Sequence, residues 1–457
     1  MSSLLRHDRV FAAGRDLLDG AFRLDHSTSV PDLGSLFERA GDKPVQRLKR
    51  DLAEAYGMAW SFPSTHGTTM LNVLALLTAC PPGGRVLVNR DSHVSVSAAL
   101  IQGDFQPVFL TPPYDDQLGL SLGPTAEGVR ELLARERVDC VFLTSPNYFG
   151  LVGELPEAIA VAHDQGLPVV VDAAHAPHFR FCRGLPAGAE ECGADLVTQS
   201  THKVASALSQ GSLLLVRHES YLEKLYEQIN ALGLVSTSFS YPILASIELG
   251  VRQLMEEGEY LWGETLARAA SLREACGALP GVRVLSDADA GRPGFRTYDA
   301  TRVTLDVAGT GLTGFEVERR LHRERIYPEM ATYRHLLFLL TPGTSDADLY
   351  TLIRTLRACL PTTSAGPRLR DFGQAPAVRR ALTPRAAHFA TKRRVAVREA
   401  ARQVSGETIA TYPPGVPVVM AGEVLEADVL EYLQEVHRAG AILKGASDPT
   451  FSTIKVI

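Results

Sequence analysis

The residue types best suited to chemistry converge on one lysine. Lys203 stands in Thr198-Gln-Ser-Thr-His-Lys-Val-Ala-Ser-Ala-Leu-Ser-Gln-Gly-Ser212, a run otherwise made mostly of small and hydroxylated residues. Upstream, the apolar segment Leu167-Pro-Val-Val-Val171 runs directly into Asp172. A lysine amine forms a Schiff base with an aldehyde cofactor, and an aspartate at a strand end can pair with a protonated pyridine nitrogen. That combination points to pyridoxal 5'-phosphate (PLP). A further segment, Ser64-Thr-His-Gly-Thr-Thr69, opens an apolar helix with hydroxyls and a glycine. Such a helix start can hold an anion, although taken alone it reads equally well as a capped helix without a ligand.

Positioning these groups requires a scaffold. Residues 1–58 read as mainly helical, with Val45, Leu48, Leu52, Ala55 and Tyr56 forming one apolar stripe. From 59 to 275, strand-like runs such as Arg85–Asn89, Gln106–Leu110 and Val138–Thr144 alternate with amphipathic helical stretches. This pattern predicts a largely parallel sheet covered on both faces, with ligands gathered beyond the carboxyl ends of its strands. His66, His93, Asp172 and Lys203 would all lie there. Residues 276–362 predict a small α+β unit. Pro361-Thr-Thr-Ser-Ala-Gly-Pro367 reads as a linker, and 368–457 as a last small unit.

Composition narrows the function. An apolar content of 45%, a charged content of 21% and a net charge of −6 suit a globular protein and give no reason to expect nucleic acid. The six cysteines are scattered without a CxxC pair, so neither a disulfide framework nor a metal site is expected. No signal peptide or membrane-spanning run is evident, and the expected location is cytoplasmic.

Several motifs together resemble the bacterial Orn/Lys/Arg decarboxylases. These are Ser200-Thr-His-Lys203 with Leu208-Ser-Gln-Gly-Ser212, Val171-Asp-Ala-Ala-His-Ala-Pro-His-Phe179, and Arg90-Asp-Ser-His93. Thr144-Ser-Pro-Asn-Tyr-Phe-Gly150, Ser236-Thr-Ser238, and Tyr412-Pro-Pro-Gly-Val-Pro417 followed by Gly422-Glu423 extend the likeness over roughly residues 45–457. The resemblance implies an α/β, PLP fold type I architecture (aspartate-aminotransferase-like). A mostly parallel large-domain sheet, a small α+β domain and an extra C-terminal domain are expected, without the wing domain of the long forms. It further implies that Lys203 carries PLP, that Asp172 pairs with the pyridine N–H, and that His93 stacks on the ring. Gly67, Thr68, Thr69, Ser200 and His202 would cradle the phosphate. Thr237 would reach the neighbouring subunit's phosphate, making a homodimer or higher homo-oligomer with cofactor sites at the subunit interface. His175 is either a neighbour of the cofactor or a packed histidine. Glu423 would pair with the distal cation of the substrate, or else be a surface carboxylate.

The expected reaction is decarboxylation of a basic amino acid (lysine, ornithine or arginine) to the amine and CO2. The chain departs from the family pattern at Phe22-Arg-Leu-Asp-His-Ser-Thr28, Val94, Ala173, Asn147, Phe149, Phe239 and Ala421. Several of these are expected near the substrate, which keeps open a PLP-dependent lyase, aminotransferase or oxidative deaminase. An arginine clamp on the α-carboxylate, from Arg296 or Arg302, would favour that alternative. A non-catalytic relative would have no physical need for Lys203, Asp172 and His93 together.

Overall fold

Seven strands whose side chains alternate between two apolar layers carry the site. The computed structural model describes residues 44–232, 239–361, 372–412 and 415–457. The sheet is built from β1 (Trp60–Ser64), β2 (Arg85–Asn89), β3 (Gln106–Leu110), β4 (Cys140–Thr144), β5 (Val169–Asp172), β6 (Leu196–Gln199) and β7 (Ser212–Val216). Their order is β1-β7-β6-β5-β4-β2-β3, and β7 runs antiparallel to both of its neighbours. The five strands from β6 to β3 are mutually parallel.

The period of two decides what each face packs against. Leu87, Val141, Leu143, Val169, Val171, Val197, Leu213 and Leu215 point into one core with the stripe Leu48, Leu52 and Tyr56. Leu48 and Leu52 belong to α1 (Pro44–Ala55), and Tyr56 follows it directly. Val86, Val88, Phe142, Val170, Leu196 and Leu214 point the other way, onto Leu71, Leu74 and Leu76 of α2 (Gly67–Ala79). Burial on both faces explains why these strands read as continuous apolar runs.

A long helix joins the first two units. α3 (Tyr241–Gly277) has 37 residues and is about 55 Å long at 1.5 Å per residue. Its Leu244, Ile247, Val251 and Leu254 belong to the large core, whereas Ala269, Leu272 and Cys276 belong to the next one. That second core lies under an antiparallel sheet of Arg283–Val284, Arg302–Asp306, His335–Leu339 and Met330–Ala331. Helices over Gly314–Arg323 and Asp346–Cys359 cover it, each opened by a capping box, Thr313 with Glu316 and Ser345 with Asp348. The C-terminal unit has its own core, including Ile409, Val419, Leu430, Leu433 and Ile454. Residues 1–43 lie outside the described residues.

Candidate active site

The carboxyl ends of β6, β5, β4 and β2 open onto one cavity of about 870 Å³. Lys203, Asp172, Thr144 and His93 line it, and the C-terminal unit closes one side with Tyr412, Val418 and Lys444.

Asp172, at the end of β5, is only 4% exposed. Its Oδ1 accepts from the amide of Ala174 at 3.0 Å and its Oδ2 from Asn72 Nδ2 at 2.8 Å. Asn72 is oriented in turn by Thr198, whose hydroxyl donates to Oδ1 at 2.6 Å. Asn72 Nδ2 also lies 3.0 Å from Ser95 Oγ, and the Ser95 amide donates to His93 Nδ1 at 3.2 Å. One buried amide side chain therefore ties the aspartate to the segment bearing His93. Among the described residues Asp172 has no ion-pair partner, so it is a buried carboxylate that can still receive a cation. Burial lowers the His93 imidazole, partly opposed by Asp172 and reinforced by Lys203 and Lys444.

Lys203 follows β6 in a one-turn helix, Thr201–Val204. Its Nζ reaches solvent through the open cavity and lies 3.0 Å from His175 Nε2. The other ring nitrogen of His175 is 2.8 Å from Arg302 Nη2. A guanidinium has only N–H donors, so Nδ1 must accept and the proton of the neutral ring sits on Nε2, aimed at Lys203. The lysine nitrogen facing that proton is an acceptor, which is its neutral, nucleophilic form. Burial is the main cause that lowers the lysine ammonium; Asp172 opposes it and Arg302 adds to it. Burial also pushes His175 well below the ordinary imidazole value, helped by Lys203 and Arg302. Arg302 is itself fully buried and held by Asp299 Oδ2 at 3.3 Å and the Tyr148 carbonyl at 2.9 Å. Burial alone would raise the Asp299 carboxyl, but His178, Arg302 and Thr301 outweigh it and hold the group well below the usual range.

The anion cradle forms where two segments touch. Thr68 Oγ1 and Ser200 Oγ lie 2.6 Å apart. Gly67 adopts φ +78°, a conformation suited to glycine, and its amide donates to the Gln210 carbonyl at 3.0 Å. The glycine amide is thus already used, which leaves the first-turn amides of Thr68 and Thr69 as the donors for a phosphate. His202 lies 2.8 Å from the Gly211 carbonyl through Nδ1, so its Nε2 can donate only when the ring is protonated. The Lys203 loop sits directly on α3. A Cβ on Gly250 would come within 1.9 Å of the Ala205 carbonyl oxygen.

Three expectations need revision or fall outside view. Glu423 is 1% exposed and does not line the cavity. Both its oxygens are held by Arg90, at 2.8 and 2.9 Å, and Oε2 also accepts from the Met420 amide at 2.7 Å. It is therefore neither a surface glutamate nor a free acceptor, because the nearest strong cation already occupies it. Neither candidate for an arginine clamp lines the cavity. Arg296 pairs with Glu157 at the surface, and Arg302 lies behind His175. Thr237 lies outside the described residues.

Other contributors carried weaker signals. Asn72 is a polar residue inside the otherwise apolar turn sequence of α2, and Arg302 is an arginine in an alternating strand. Both are marks of a buried polar contact rather than of a motif. Asp299 offered no pattern of its own.

The group that fits this set is PLP. A buried carboxylate without a cation, a neutral amine facing the same cavity and hydroxyls at a helix start match its pyridine nitrogen, aldehyde and phosphate. Comparisons with known proteins agree. Residues 15–290 match the model of the Orn/Lys/Arg decarboxylase major domain, and residues 372–447 match that of its C-terminal domain. An arginine decarboxylase of Bacillus subtilis is 31% identical over 424 residues, covering 91% of this chain and 86% of the relative. The structure of the E. coli constitutive lysine decarboxylase superposes with a TM-score of 0.76 at 22% identity, covering 100% of this chain and 78% of that one. A PLP-bound serine palmitoyltransferase from S. paucimobilis has a TM-score of 0.57 at 20% identity, covering 78% and 84%.

Proposed function

The chain belongs to the Orn/Lys/Arg decarboxylase family and is a PLP-dependent amino-acid decarboxylase, and we propose that it acts on a basic amino acid, releasing CO2 and the corresponding amine. When bound, PLP supplies the electron sink that takes up the bonding electrons of the departing carboxyl group. Lys203 would hold the cofactor and yield it to the substrate amine. Asp172 would keep the pyridine nitrogen protonated, and His93 would lie against the ring. His175 would keep Lys203 a free base, and the lysine, once displaced, would return the proton that replaces CO2.

The observation that carries decarboxylation over its alternatives concerns arginines. Among the described residues lining the cavity, Arg90 is the one arginine, and it is paired with Glu423. A carboxylate kept away from a strong cation is less stabilised in the ground state, which favours its loss. Transamination or elimination would gain from the clamp that Arg296 and Arg302 do not form. The two decarboxylase relatives support a cationic substrate, and a homodimer or higher assembly with shared sites remains part of the proposal.

The test is product identification. Purified holoenzyme given lysine, ornithine and arginine should release CO2 and the matching amine from at least one. Keto acid or ammonia without CO2 would contradict the proposal.

A further inference from the structure

Two carboxylates line the cavity among the described residues, Asp172 and Asp91. The first faces Asn72 and the Lys203 side. The second follows β2, two residues before His93, and no role has yet been assigned to it. Its oxygens lie 3.5 Å from Asn89 Nδ2 and 3.4 Å from Ser121 Oγ, both long contacts to neutral groups. It has no ion-pair partner among the described residues. Arg90, the adjacent cation, is turned away from it by the bidentate pair with Glu423. The remaining cation on this side, Lys444, lies over the Tyr412 ring at 5.1 Å from its centroid.

Placement adds a second observation. Asp91 and Lys203 leave the sheet from β2 and β6, with β4 and β5 between them. Neighbouring strands are about 4.8 Å apart, so the two exits are separated by roughly 14 Å. Asp172 ends one of the intervening strands. A substrate joined near Lys203 and running along the carboxyl edge of the sheet, over β5 and β4, therefore reaches toward Asp91. We propose that Asp91, rather than Glu423, receives the distal ammonium or guanidinium of the substrate and so sets the preference for cationic side chains. The proposal rests on the basic-amino-acid activity given above. Glu423 then has a different part: it occupies Arg90 and leaves Asp91 without an internal counter-ion. Burial raises the Asp91 carboxyl to about 6, with Asn89 and Ser121 only partly offsetting it, as expected of a site completed by its ligand.

The experiment compares wild-type and D91N holoenzymes on the preferred cationic amino acid and on norleucine, which has no terminal charge. Loss of one charge-assisted contact should raise KM for the cationic substrate on the order of 10- to 100-fold, with kcat and norleucine kinetics little changed. A spectral titration with 1,5-diaminopentane and pentylamine needs no turnover. Wild type should prefer the diamine, and D91N should lose that preference while keeping the wild-type cofactor spectrum. D91E, which advances the carboxylate, should shift preference toward shorter cationic chains. A D91N enzyme with wild-type KM and an intact diamine preference would overturn the assignment. If the wild type turned over no cationic amino acid, the proposed function would fall, and the diamine titration would still decide the role of Asp91.

Discussion

Arg302 Nη2 lies 2.8 Å from His175 Nδ1, and this contact determines which nitrogen of the imidazole faces Lys203. Replacing His175 by Gln should leave the cofactor bound but lower kcat by on the order of 100-fold, the usual share of a positioned proton carrier. Single-turnover kinetics would show it, with KM nearly unchanged. R302M is the less clean variant, because it also removes one partner of the buried Asp299 carboxylate, leaving that group to His178 and Thr301.

The same histidine predicts a pH dependence of stability. Its folded-state imidazole is held below the ordinary value, so the unfolded chain binds a proton more readily. Stability should therefore fall as pH drops below about 6.5, by at most about 1.4 kcal/mol per pH unit from this one group. Urea melts of wild type and H175Q between pH 5 and 8 would check it, the variant showing the shallower dependence.

Arg90 and Glu423 clamp the C-terminal unit onto the loop that carries His93. E423Q leaves the partly buried guanidinium without its charge partner and should cost about 3 kcal/mol. A double replacement, R90M with E423M, should recover part of that loss. Denaturant unfolding of the two single variants and the double variant gives the coupling energy directly.

Gly250 allows α3 to pass beneath the Lys203 loop. In G250A the added methyl meets the Ala205 carbonyl, and the expected loss is about 1–3 kcal/mol with weakened cofactor retention. Thermal melts and dialysis of the holoenzyme measure both effects.

Substrate affinity should fall in acid for a separate reason. Asp91 is charged above about 6, and a cationic substrate needs that charge. KM should rise as pH falls through about 6 in wild type, and D91N should flatten the profile.

Lys203, Asp172 and His93 are readable from sequence because each sits where an apolar run ends and a polar loop begins. The rule that parallel strands deliver loops to one edge then brings them together. The second layer was not readable in this way. Arg302 lies about a hundred residues beyond Lys203, in a different sheet, and its contact with His175 depends on how that sheet packs against the Tyr148 loop. Glu423, paired with Arg90, shows the same effect. The family resemblance implied a pocket carboxylate there, whereas the C-terminal turn sets Glu423 against Arg90. Local patterns mark where chemistry is possible, and long-range packing decides which charges remain free.

The most direct test of the site fixes the cofactor to the amine that holds it. Borohydride treatment of the PLP-loaded enzyme, followed by proteolysis and mass spectrometry, should place the pyridoxyl mass on Lys203, and K203A should carry none. Labelling at any other lysine, or undiminished turnover by K203A, would contradict the account.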